Sequence, residues 1–308
     1  MANYRKYELP VSGKEILHRQ EEPGLLRILL AQRRMYSIAK RWSSFRRIGV
    51  SLIAIAGPVV SVVCESTAVY VGAIAGVWLA LGQTVFLANE RKQIEAGAAL
   101  QDSFDRAVFG IPESRRRDAY PAREDISRLT GPAADVESKF DKERLRGWYA
   151  VDPKSEGTRA VAIAQRSNVG YSFLLLRTFN RWAAVLFAVW LAFLLLLCIA
   201  AGMTLSTFIL GVAFPVLPAF IDLWRLRNEA TKHNREQEQL AKEMDASISA
   251  AKGVPIAPAL LADWQDDLYY LRLNSPLVPD FLYWCYRARN ESLMVETSNE
   301  LSATMEEE

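Results

Sequence analysis

The chain has 308 residues, 37 Lys/Arg against 35 Asp/Glu, a net charge of +2 and a mean hydropathy of +0.02. Its three cysteines, Cys64, Cys198 and Cys285, are far apart and unpatterned, which excludes a disulfide framework. These near-neutral averages conceal two materials: four apolar segments almost free of charge, and about 220 residues of polar chain, enough for one modest domain.

Residues 1–47 carry 11 Lys/Arg against 4 Asp/Glu. The first 20 are polar and lack an apolar h-region, so no cleavable signal peptide is expected. Leu25, Leu26, Ile28, Leu29, Leu30, Met35 and Ile38 recur at helical spacing, and Pro23 suits a first turn. That pattern predicts a helix running directly into the first apolar segment. The first pair of segments is Ile48–Cys64 and Thr67–Ala88; Glu65, at the tip, is the only charge between Ile48 and Asn89. Runs of about 17–25 apolar residues are what an α-helix needs to cross the hydrocarbon core. Gly72-x-x-x-Gly76 would let backbones approach closely, within one hairpin or between subunits. Gln83 is costly to leave facing lipid, so it would bond a neighbouring helix or line a pore.

The loop 89–182 carries 17 Lys/Arg against 14 Asp/Glu. A helix is predicted over Glu90–Phe109, stopped by Gly110 and Pro112. Pro121, Gly131 and Pro132 break the stretch 111–135 into turns and short elements, and another helix is predicted around Val136–Tyr149. Arg159–Phe179 should form a helix that enters the second pair, Ala183–Met203 and Thr204–Ile221, which holds no charge at all. The tail 222–308 carries 9 Lys/Arg against 16 Asp/Glu. Leu223–Ala251 reads as one long polar helix with a thin stripe: Leu226, Ala230, Leu240, Met244 and Ile248. Elements over Pro258–Leu273 and from Asp280 to Met305 complete the chain.

The expected fold is therefore an all-α membrane protein. Two transmembrane hairpins, 48–88 and 183–221, supply four spanning helices. Residues 1–47, 89–182 and 222–308 would assemble a helical cytoplasmic domain. Neither hairpin tip, Cys64–Thr67 or Gly202–Thr204, has a Lys or Arg, whereas Arg46, Arg47, Arg91, Lys92, Arg177, Arg181, Arg225 and Arg227 flank the inner ends. Basic short loops stay inside. Both termini and the central loop are thus expected in the cytoplasm, with Trp42, Trp182 and Trp224 at the inner boundary.

No enzymatic constellation stands out, and no catalytic residue, metal or cofactor is expected. His18 and His233 each stand alone on a polar helical face, where exposure is expected, and there is no Walker loop and no GxSxG. Several polar clusters suit an anionic ligand that also carries aromatic rings: Arg33 with Tyr36, Arg115–Arg117, Arg166 and Asn168 with Tyr171, and Arg272 with Tyr283. Arginine forks hold phosphates, and aromatic faces stack on bases. The same arginines would equally meet anionic lipid headgroups, and the aromatics would equally build a small core.

These segments also carry a family resemblance. The chain resembles the SMODS-associated four-transmembrane pore-forming effectors. The matching stretches include Ala31-Gln32-Arg33-Arg34-Met35-Tyr36, Gln101-Asp102-Ser103-Phe104-Asp105, Val108-Phe109-Gly110-Ile111-Pro112, Tyr120-Pro121, Gln165-Arg166-Ser167-Asn168 and Ser275-Pro276-Leu277-Val278-Pro279-Asp280-Phe281-Leu282-Tyr283. Glu113-Ser114 and Tyr171-Ser172 stand where the family pattern has Trp-Asn and Trp-Asp.

The resemblance implies a bacterial antiphage effector of the cyclic-oligonucleotide (CBASS) type. A cGAS-like nucleotidyltransferase would make a cyclic di- or trinucleotide, and this messenger would bind the cytoplasmic domain. A homo-oligomer in the inner membrane would then permeabilise the bilayer and kill or arrest the cell. The competing readings are a small housekeeping ion channel and a membrane-anchored scaffold that binds a protein partner. The orientation is directly testable. In an otherwise cysteine-free chain, a cysteine introduced at Ser138 should resist an impermeant thiol reagent outside intact cells and react after lysis; labelling from outside would overturn the topology.

Overall fold

The computed structural model describes residues 11–63, 68–112, 117–155, 157–200, 202, 214–251 and 254–304. Among them the regular elements are helices: Gly13–Arg19 (α1), Pro23–Val63 (α2), Ala68–Leu81 (α3), Leu87–Phe109 (α4), Arg123–Thr130 (α5), Ala133–Lys142 (α6), Gly157–Ala200 (α7), Phe214–Ala250 (α8), Pro258–Asn274 (α9) and Asp280–Thr304 (α10). A π-helical turn, Gly82–Phe86, joins α3 to α4 without a break. The tips Cys64–Thr67 and 203–213 lie outside the described residues.

Local chemistry sets the ends. Ser12 caps α1 by accepting the Glu15 backbone N–H, with Glu15 in the position of a capping box. Pro23 and Pro258 open α2 and α9, where a missing N–H costs nothing. Gly110 (φ 70°) closes α4 in a Schellman motif, with Ile111 N–H donating to the Arg106 carbonyl. The helix expected to reach Tyr149 stops at Lys142. There Arg144 takes φ 51°, and the N–H groups of Arg144 and Leu145 turn back to the Asp141 and Phe140 carbonyls.

The chain forms two compact units. One unites Ile38–Lys92 with Arg177–Lys232; the other unites the chain up to Ser37 with Gln93–Leu176 and everything from His233 on. Helices α2, α4, α7 and α8 each contribute residues to both.

The first of these units contains the apolar stretches. Among the described residues, two helical runs are long and apolar enough to cross a membrane, Gly72–Phe109 and Gly157–Phe193. Only 6% and 17% of their most apolar windows are buried, which is unlike the core helices of a soluble fold. Leu52, Ile74, Val77, Leu186, Val189 and Ile199 are all more than half exposed. Arg46, buried on α2, pairs with Asp222 (2.7 Å) on α8 and Glu90 (3.3 Å) on α4. Its carbonyl accepts from Trp78 Nε1 (3.2 Å). Gly49 makes room for that indole, since a Cβ there would lie 2.0 Å from the Trp78 ring.

The other unit is built around an apolar core. Ile16, Leu26, Leu29, Leu30, Phe104, Phe109, Leu145, Met244, Leu261 and Trp264 are buried in it. The buried face of α8 continues the stripe Ala230, Leu240, Met244 and Ile248 through polar residues, His233 and Gln237. His233, expected from the sequence on an exposed face, is instead buried. It is 8% exposed and its Nδ1 lies 2.9 Å from Glu236 Oε2.

A buried polar network crosses this core. Asp105 on α4 has no exposure, and it receives Tyr149 Oη (2.5 Å), Gln265 Nε2 (3.2 Å) and the Arg272 guanidinium (2.6 Å). Burial pushes the Asp105 carboxyl up, while Arg272 and the hydrogen bonds pull the other way. Burial would likewise lower the Arg272 guanidinium, and the adjacent Asp105 overcomes it. Gln265 also donates to Asp102, which binds Arg106 and Arg117. Removing one member of a buried ion pair strands the other charge. Arg272→Met should therefore lower unfolding stability in detergent by about 3–5 kcal/mol. Adding Asp105→Leu to it should restore much of the loss. A single-variant loss well below that range would remove the pair from the determinants of the fold.

Candidate functional site

Loop 143–155, between α6 and α7, is held by side chains rather than by regular structure. Gln20 both accepts the Tyr149 N–H (2.7 Å) and donates to its carbonyl (3.4 Å). Glu21 accepts from Gly147 N–H (2.7 Å) and Arg146 (3.1 Å). Tyr149 is pinned at its far end by Asp105, and its hydroxyl also accepts from Asn168 Nδ2 (3.2 Å). This loop forms one wall of a cavity of about 480 Å³. Gln32 and Gln101, hydrogen-bonded to each other at 3.1 Å, form another part. Ser167, Asn168 and Tyr171 from α7 and Tyr283, Arg287 and Glu291 from α10 complete it.

That volume is within the range of about 300–1,000 Å³ typical of small-molecule sites. Its lining combines three arginines, Arg144, Arg146 and Arg287, with one carboxylate, Glu291. Trp148, Tyr149, Tyr171 and Tyr283 supply aromatic surface. The Tyr171 and Tyr283 rings meet edge to face at 6.2 Å, and burial followed by the neighbouring Tyr283 pushes the Tyr171 hydroxyl up. The arrangement therefore suits an anion that also presents flat rings.

Three polar groups in the wall, Arg287 Nη1, Ser167 Oγ and Tyr171 Oη, are unanswered among the described residues. Arg287 is 8% exposed; its Nε bonds Glu291, and its Nη2 donates to the Arg144 carbonyl at 3.0 Å. Its buried Nη1 has no hydrogen-bond partner among the described residues, and neither has Ser167 Oγ. A buried unpaired polar group costs about 1–3 kcal/mol, so each calls for a ligand or water. A second expense lies at Arg144, whose left-handed backbone costs about 1–3 kcal/mol for a residue with a side chain.

The residues singled out in the sequence separate into distinct places. Asn168, Tyr171 and Tyr283 line the cavity. Arg33 is behind it: Nη2 donates to Tyr283 Oη (3.0 Å), Nη1 bonds the Glu143 carbonyl, and the guanidinium is 5.6 Å from the centroids of Tyr283 and Trp284. Arg272 reaches the cavity only through Asp105 and Tyr149. Tyr36 faces Gly97 elsewhere in this unit, and burial raises its hydroxyl to about 12. Arg166 forms a bidentate pair with Asp245 (2.7 and 2.8 Å). Arg117 binds Asp102 and Asp266, whereas Arg115 and Arg116 lie outside the described residues. In the other unit Gly72 and Gly76 are exposed, with open space where a Cβ would stand, and Gln83 is exposed in the π-helical turn.

Sequence reasoning missed Arg144, Arg146, Trp148 and Arg287. The run Arg144-Leu145-Arg146-Gly147-Trp148-Tyr149 has the same basic-aromatic character as the other clusters. The helical pattern read over the stretch conceals it. No group of three or more His, Cys, Asp or Glu that could hold a metal ion occurs among the described residues.

Comparison with known proteins agrees with this architecture. No solved structure matches the chain. A probable CBASS effector molecule from Bacillus cereus (strain VD146) is 25% identical over 304 residues, covering 93% of this chain and 98% of that protein. The SMODS-associating 4TM effector domain matches residues 14–301, nearly the whole chain. An all-helical fold with long apolar helices and a match of this extent lead to one conclusion: the chain belongs to the SMODS-associating 4TM effector family.

Proposed function

We propose that this protein is a membrane effector of cyclic-oligonucleotide antiphage signalling, with four spans in the bacterial inner membrane and both termini in the cytoplasm. The observation that carries the reading is the cavity with unanswered Arg287 Nη1 and Ser167 Oγ beside Tyr171 and Tyr283. A phosphodiester supplies acceptors for both polar groups, and a base supplies a face for the rings. The messenger is a cyclic di- or trinucleotide made by a cGAS-like nucleotidyltransferase during infection. The relative's name, a probable CBASS effector, supports the same role.

Binding opens a membrane path only if the ligand favours the open or assembled state. About 5.5 kcal/mol of differential affinity takes a 1:99 equilibrium to 99:1. Helices α2, α4, α7 and α8, which carry residues of both units, are the means of transmission. A single subunit offers few polar groups to enclose water, so the active form is a homo-oligomer. Gly72 and Gly76, uncovered within the chain, are its close-packing face, and Gln83 is the polar group beside it.

Two measurements test this. Titrating purified protein with a panel of cyclic di- and trinucleotides should raise its melting temperature with ligand concentration for at least one member. Arg287→Ala should weaken that response by about 1.5–3 kcal/mol, as for a lost hydrogen bond to a charged group. A flat response across the panel would reject nucleotide binding. In liposomes, the cognate nucleotide should trigger dye release, and Gly72→Leu with Gly76→Leu should suppress it. Release independent of nucleotide would reject gating, and release unaltered in the double variant would exclude that face.

A further inference from the structure

The C-terminal end of α6 breaks a local rule. In a Schellman motif the residue at the left-handed position is ordinarily glycine, because a Cβ crowds the backbone there. Here the position is Arg144 (φ 51°), and the motif's two hydrogen bonds are made, Leu145 N–H to Phe140 O at 2.9 Å and Arg144 N–H to Asp141 O at 3.0 Å. An arginine is therefore kept where folding alone favours glycine. Its side chain makes no ion pair among the described residues, unlike Arg146, which pairs with Glu21 and Asp141. It lines the cavity instead, and Arg287, a lining arginine whose buried Nη1 has no hydrogen-bond partner among the described residues, grips its backbone carbonyl at 3.0 Å.

We propose that Arg144 is a ligand-contacting and specificity-determining residue of the cavity, held in a strained backbone so that it and Arg287 clamp one phosphate-class anion. This rests on the nucleotide reading above for the source of the phosphate, but the clamp itself follows from the local geometry. Arg144 is both exposed and part of the cavity lining, so a ligand entering from solvent can meet it. Arg287 supplies the inner contact and fixes the outer one through the carbonyl bond. Strain held at a binding position in this way is expected when the position is chosen for function.

The test uses the full-length protein in detergent, comparing wild type with Arg144→Gly and Arg144→Ala. Without ligand, Arg144→Gly should melt at or above wild type, because the strain is relieved; melting below wild type would show that the side chain holds the fold and would overturn the proposal. Arg144→Ala, which keeps the Cβ, should not melt above Arg144→Gly. Inorganic pyrophosphate and the cyclic nucleotide panel are then titrated separately. Both variants should bind at least about tenfold more weakly than wild type, as expected for one lost charged hydrogen bond. An Arg144-dependent response to pyrophosphate with none to any nucleotide would sink the nucleotide reading and leave the clamp. Nucleotide binding that is equal in wild type and variants would sink the clamp and leave the reading. No Arg144-dependent response to either probe would overturn the clamp. The same response produced by phosphatidylglycerol-containing micelles alone would assign the phosphate to a lipid headgroup and overturn its assignment to a soluble messenger.

Discussion

A carboxylate with no access to water must be answered by donors or by a cation, and Asp105 is answered by both. Arg272, Gln265 and the Tyr149 hydroxyl converge on it from α9 and from the loop that precedes α7. Because Tyr149 also accepts from Asn168, the network ties α4, α9, α7 and that loop to one point. Phe104 and Phe109 pack against the Tyr149 ring from α4, with centroids at 6.4 and 4.8 Å. The result is a fixed wall: the loop has no regular hydrogen-bond ladder of its own, yet its aromatic residue is held at the backbone by Gln20 and at the hydroxyl by Asp105.

The arginines of this unit divide by what answers them. Arg166 is satisfied by Asp245, Arg106 by Asp102 and Asp266, and Arg33 by Glu143 and the Tyr283 hydroxyl. Such pairs orient elements but leave little for a ligand. Arg272, whose Nη2 lacks a hydrogen-bond partner among the described residues, is paired with Asp105 and lies away from the cavity lining. Arg287 differs because two of its nitrogens are engaged, the third, also buried, is not, and it lines the cavity. Together with the strained Arg144 it places cost where a binding site would recover it. The stretches that carry the family resemblance contribute to both classes: Gln101, Asp102, Asp105 and Gln165 belong to internal networks, and Gln101, Ser167 and Asn168 reach the cavity.

In the other unit the constraint is the reverse. Large apolar side chains are exposed along α2, α3 and α7, a surface that water would not tolerate over such an area but lipid does. The polar exceptions are few. Arg46 is matched by Asp222 and Glu90, which lie just outside the apolar stretches. The π-helical turn at Gly82–Phe86 adds a local irregularity, and Gly82 is buried where a Cβ would come within 3.3 Å of Arg46 Cγ. Irregular turns of this kind recur at functional positions in helices.

The amino-acid sequence by itself determined the helical class, the apolar stretches, most helix ends and the family. Each follows from short-range physics: apolar run length against a 1.5 Å rise, a serine three residues before a glutamate, a glycine or proline at a terminus. The helix from Glu90 and its stop at Gly110, and the long helix ending at Ala250, were legible for that reason. Tertiary structure alone decided which arginine is spent and which is available. Arg272 meets Asp105, Arg166 meets Asp245 and Arg287 meets the Arg144 carbonyl across intervals of 79 to 167 residues, and no local pattern encodes those meetings. It also decided that α6 stops at Lys142, because the left-handed turn at Arg144 is held by the loop's contacts against the residue's own preference. Hydropathy and capping act over a few residues; the burial that turns one guanidinium into a structural ion and another into an open donor exists only once distant segments have packed together.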